Sequence, residues 1–155
     1  MLPFPAFVEG RYLDVLVANA PATALSPRLV AGANRLRDLF LDPAEQAMFP
    51  DGEAAAAGLV ASFREAVGTD TDDPRFIELV GPLFRTLWAR HDVRPRSGAT
   101  AVPFDHPHLG ELRLNREKLH VSGSEGMMLV AYHADPGTAD AEKLQLLSSA
   151  LVSDR

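Results

Sequence analysis

Residues 76–93 read FIELVGPLFRTLWARHDV, and the rest of the chain is organised around them. Apolar side chains recur at Phe76, Val80, Leu83 and Leu87 and at Ile77, Val80, Phe84 and Trp88. This three-and-four spacing marks a helix buried along one stripe. Asp73-Pro74 supplies a start, with a side-chain oxygen for orphan amides and a proline at the first helical position. Pro82 lacks an amide hydrogen and clashes with the preceding turn, so the reading is a kink or two helices meeting near Gly81. The helical signal ends near Asp92, because Arg94 precedes Pro95 and avoids helical angles. Trp88, the only tryptophan, reads as a core anchor or as the wall of an apolar pocket, and the two are compatible.

Toward the N-terminus, Glu9-Gly10-Arg11 reads as a tight turn and Tyr12 to Ala18 (YLDVLVA) as a strand. Asn19 closes it, and Ala20 to Leu25 forms a short helix before Ser26-Pro27. In NRLRDLFL (Asn34 to Leu41), Leu36, Leu39 and Phe40 share one face, with Arg35, Arg37 and Asp38 on the other. Asp42-Pro43 stops that helix and caps another running through Met48 and Phe49, and Asp51 caps an amphipathic helix over Glu53 to Val67. Gly68 ends it. Thr69 to Asp73 is an acidic loop without the spacing of a calcium loop.

Toward the C-terminus the texture changes to alternation. Ala99 to Phe104 and Leu109 to Leu114 read as strands joined by a turn at His106-Pro107-His108, and Leu119 to Val121 extends the sheet. SGSEG (Ser122 to Gly126) is a loop, Met127 to Ala134 the strongest late strand, and Asp140 to Leu151 a closing helix. Strand, helices, antiparallel meander and terminal helix make an α+β fold, an antiparallel β-sheet with a helical layer covering one face.

A chain of 155 residues fits one domain spanning 1–155. Fifteen Lys and Arg against twenty-one Asp and Glu leave a net charge of −6 without a basic run, which argues against nucleic-acid binding by this chain. The absence of cysteine excludes disulfides and thiolate metal sites and fits a reducing cytoplasm. MLPFPAFVEG lacks the pattern of a signal peptide, and no apolar run reaches the roughly 20 residues that span a bilayer. The expectation is a soluble cytoplasmic protein with no membrane partner.

No phosphate-cradling glycine loop or nucleophile elbow is present. His106 and His108 beside Asp105 raise the question of a metal, but Pro107 sits between them in a turn and no further cluster supports them. A structural role is the better reading. His91 and Asp92, adjacent on a helix, point apart and make a poor relay. Glu45, Glu53, Glu65 and Glu78 fall on polar helix faces, where solvated charge is the default. The expectation is no catalytic residue, no metal and no cofactor. An enzyme using His91 or His106 is the weakest alternative, without a substrate to name.

Five stretches in order resemble the ligand-binding domain of MmyB-like transcription regulators. They are PAFVEGRYLDVLVAN (Pro5 to Asn19), NRLRDLFLDP (Asn34 to Pro43), LWARHDV (Leu87 to Val93), HPHLGEL (His106 to Leu112) and LVAYHADPG (Leu129 to Gly137). The resemblance implies a PAS-like fold enclosing an apolar cavity, in bacterial regulators that carry a helix-turn-helix domain ahead of this one, with a long-chain fatty acid as ligand. No such domain precedes Pro3, so the chain reads as the sensor domain alone. Similar sequences also carry a longer segment where this chain has Gly81-Pro82-Leu83, beside Trp88. The residues expected to contact ligand are Phe40, Phe63, Phe84, Trp88, His91, Arg94, Phe104 and Tyr132, with Phe49 in the same aromatic set and Arg90, His91 and Arg94 as partners for a carboxylate. Burying an acyl chain yields roughly 0.8 kcal/mol per methylene, so about ten carbons suffice for micromolar binding. The alternative is a ligand-free PAS-like module that uses its sheet to form a homodimer.

Overall fold

The computed structural model describes residues 4–67, 72–75, 77–79 and 100–153. Most of the stretch quoted first, including Phe84, Trp88, Arg90 and His91, therefore lies outside the described residues, as does Arg94 just beyond it. Five strands form one antiparallel sheet: β1 (Ala6–Glu9), β2 (Val15–Ala18), β3 (Thr100–His106), β4 (Gly110–His120) and β5 (Met128–His133), in the order β2-β1-β5-β4-β3. The helices α1 (Ala20–Leu25), α2 (Arg35–Leu41), α3 (Pro43–Ala47) and α4 (Gly52–Val67) run between β2 and β3, and α5 (Ala139–Ser153) closes the fold. The α+β architecture matches the expectation.

Two asparagines act as joints. Asn19 caps α1 by accepting from the Ala22 amide, and the same oxygen accepts from the Ala6 amide while its Nδ2 donates to the Phe4 carbonyl. Asn34 caps α2 through the Arg37 amide, and its Nδ2 donates to the Tyr12 carbonyl and to Asp14. One side chain in each case satisfies orphan helix donors and fixes the helix against the β1–β2 hairpin. The expected Tyr12-to-Ala18 strand is accordingly shorter. Tyr12 and Leu13 lie in a turn, Leu13 at φ 66°, and Asp14 forms an isolated bridge to Asn34 before β2 begins. Conversely, the two pieces expected over 109–114 and 119–121 are one eleven-residue strand, β4.

Register divides the sheet into two faces. Cross-strand partners point the same way, so Phe7 and Glu9 of β1 share a face with Met128, Val130 and Tyr132 of β5, Leu112, Leu114, Arg116 and Lys118 of β4, and Val102, Phe104 and His106 of β3. This inner face packs against Leu25 of α1, Leu29, Met48 and Leu144 of α5. A second apolar cluster, centred on Phe63 of α4, joins Leu13, Leu36, Leu39, Leu59, Val60 and Leu79. The opposite face carries a row crossing four strands, Val17–Val8–Leu129–Leu119, whose two ends are both 56% exposed.

Candidate functional site

The inner face is apolar along most of its length and charged at one corner. Phe7 and Tyr132 have ring centroids 6.3 Å apart, Tyr132 meets Phe104 edge-on at 5.3 Å, and Phe104 meets Phe49 at 5.4 Å. These four rings form a continuous aromatic run across β1, β5 and β3 to the segment after α3. Of the expected ligand residues, Phe104 and Tyr132 are thereby brought together. Phe63 and Phe40 instead belong to the cluster beneath α4 and α2, and Phe49 packs against both clusters.

The charged corner was not anticipated. Glu9 ends β1 with its side chain only 2% exposed, and accepts a 2.6 Å hydrogen bond from Arg35 Nη1. Lys118 Nζ lies 3.5 Å from the other Glu9 oxygen and donates to Ser62 Oγ on α4. Two strands and one helix therefore meet at one carboxylate, and Lys118 ties α4 to the same corner. The Arg35 guanidinium lies over the Phe7 ring, 5.0 Å from its centroid, a contact that holds its plane. Two readings are corrected here. Glu9 is no turn residue but a buried strand terminus. Arg35, assigned to the polar face of its helix, is largely withdrawn from solvent, its side chain 13% exposed, because it stands at the first helical position, where the helix meets the sheet.

Burial and pairing pull against each other at these groups. Burial alone pushes the Glu9 carboxyl up, but Arg35 and Lys118 more than offset it, so it stays below its ordinary range and ionised. Burial pushes Arg35 down, and Glu9 outweighs it, so the guanidinium is held more firmly protonated than in water. Lys118 is the loser. Burial, with Arg35 and Arg116 nearby, brings its ammonium down to about 8 despite the attraction of Glu9. Glu45, expected on a solvated face, is half-buried and accepts from Ser26 Oγ, and burial raises its carboxyl.

Alternation along the strands carried the signal for this corner. With Phe7 facing inward, Glu9 two residues on must face inward too, and Leu112, Leu114, Arg116 and Lys118 continue one face of β4. What alternation cannot supply is Arg35, which reaches Glu9 across 26 residues of sequence.

At the other end of the inner face, His106 Nδ1 accepts from the amides of His108 and Leu109, which leaves the proton on Nε2 to donate to the Ala24 carbonyl. Its hydrogen bonds tie the β3–β4 turn to α1. Among the described residues, no group of three His, Cys, Asp or Glu is placed to hold a metal ion, and no helix is long and apolar enough to cross a membrane.

The model of the MmyB-like transcription regulator ligand binding domain matches residues 1–147. No curated protein matches the chain. The match covers nearly the whole sequence, and the chain belongs to this family of regulatory ligand-binding domains.

Proposed function

We propose, from that membership, that this chain is the sensor domain of a bacterial, cytoplasmic transcription regulator and binds a fatty acid or similar apolar acid within its fold. The observation that carries the reading is the aromatic run Phe7–Tyr132–Phe104–Phe49 on the inner sheet face. An alkyl chain laid along such rings loses its water contact and is held by dispersion without directional demands. Phe104 and Tyr132 are the lining residues of this face, Phe40 and Phe63 line from the α2–α4 side, and Phe84, Trp88, His91 and Arg94 complete the set from the segment before β3. The domain passes occupancy to a helix-turn-helix partner domain rather than catalysing a reaction.

Native followed by denaturing mass spectrometry of the purified protein tests this. A mass excess that disappears on denaturation and matches a fatty acid is the expected result. A clean apo mass, with no rise in melting temperature across an acyl-chain series, overturns it, since a ligand that binds only the folded state must stabilise it. One observation favours a second reading, a module that dimerises through its sheet: the outer row ending in Val17 and Leu119 is a half-exposed apolar strip. That reading expects a concentration-dependent homodimer with no small-molecule effect.

A further inference from the structure

Among the described residues, the corner at Glu9 carries more positive than negative charge. Arg35 and Lys118 share one carboxylate, so the triad keeps one unit of positive charge, and Arg116 adds another cation to the same sheet face. Among the described residues, Arg35 also senses Tyr132 and, more weakly, Glu45, whose carboxyl is engaged by Ser26. An unneutralised buried cation is costly, and an arrangement of this kind favours a bound anion. Arg35 spends Nη1 on Glu9, and among the described residues no other acceptor is recorded for its Nε and Nη2. A guanidinium pinned at one nitrogen keeps, in its Nε and Nη2 groups, the parallel N–H pair that fits a carboxylate in two-point contact. The pinning comes from both sides, with Glu9 in the plane and the Phe7 ring beneath it.

Phe7 also begins the aromatic run. Resting on the proposed binding of an apolar acid, we infer that Arg35, with Lys118 beside it, is the seat for the ligand's carboxylate, and that the alkyl chain runs from there along Phe7, Tyr132 and Phe104. Glu9 is the positioning residue of this seat: it orders the two cations and leaves one positive charge for the ligand. The seat thus lies at the β1–α2–β4 corner and is built from residues other than Arg90, His91 and Arg94, the carboxylate partners expected from sequence.

The test compares dodecanoate with 1-dodecanol by isothermal titration calorimetry, in the unmodified chain and in Arg35→Met and Lys118→Met. Each variant leaves Glu9 one cation, so each keeps a neutral pair and is expected to fold; circular dichroism checks this. The unmodified chain should bind dodecanoate roughly 10- to 100-fold more tightly than dodecanol, the range for one charge-assisted contact. Both variants should bring dodecanoate to the level of dodecanol and leave dodecanol unchanged, a selectivity readout that a merely structural role does not move. If acid and alcohol bind the unmodified chain equally, or the preference survives in the variants, the seat is refuted while the apolar-ligand reading stands. If neither binds, the ligand reading itself falls, and the seat with it. Should Arg35→Met fail to fold, Lys118→Met decides alone.

Discussion

Glu9→Gln isolates the electrostatics of the buried corner, because it removes one charge and almost no volume. Glu9 stands 2.6 Å from Arg35 Nη1 and 3.5 Å from Lys118 Nζ. At an effective dielectric constant of about 20, these separations correspond to gross attractions of about 6 and about 5 kcal/mol. Much of that is offset, since the amide is cheaper to bury than a carboxylate and still accepts one hydrogen bond. What remains is the cost of two buried cations without a counter-charge, about 3–5 kcal/mol as for other broken buried pairs. Urea denaturation at neutral pH, followed by circular dichroism, should show the midpoint falling with an unchanged slope. The double variant Glu9→Gln/Arg35→Met should recover at least half the loss, because it leaves one lone cation instead of two. A loss under about 1 kcal/mol in the single variant would refute the reasoning, since the charges would then be solvated despite their burial.

Lys118 gives a pH signature of the same corner. Its ammonium titrates near 8 in the folded chain against 10.5 when unfolded, so the folded state binds fewer protons between those values. Stability should rise with pH across that window, by up to roughly 3 kcal/mol, and stay flat with respect to this group below pH 8; urea midpoints from pH 7 to 10.5, less those of Lys118→Met, measure it. Asn34→Ala removes a helix cap and two further hydrogen bonds from a residue 4% exposed, and should cost about 2 kcal/mol in the same assay. His106→Leu strands the Ala24 carbonyl and two turn amides; a loss of about 2–3 kcal/mol is expected, with no change in metal content by elemental analysis.

Element identity was legible because its causes are local. Asn19, Asn34, Asp42 and Asp51 each place a side-chain acceptor where a helix starts, and each accepts the amide two or three residues on. The apolar period of α4 puts Ala56, Leu59, Val60, Phe63 and Val67 inside. Family resemblance, spread over five short stretches, was legible in the same way. The candidate site was only partly so. Phe104 and Tyr132 fall together because alternation sends both inward, but the sequence does not say that Phe40 and Phe63 belong to a different cluster.

By itself, then, the sequence determined the order and caps of the described helices, the apolar face of α4 and the family. Tertiary structure alone decided that Glu9, Arg35 and Lys118 meet. Helical periodicity scores Arg35 as solvated because it counts only neighbours on its own helix. Burial of a charge is instead settled by which distant charge the fold brings within 2.6 Å, and attraction in a poorly solvated interior depends on that separation rather than on spacing along the chain.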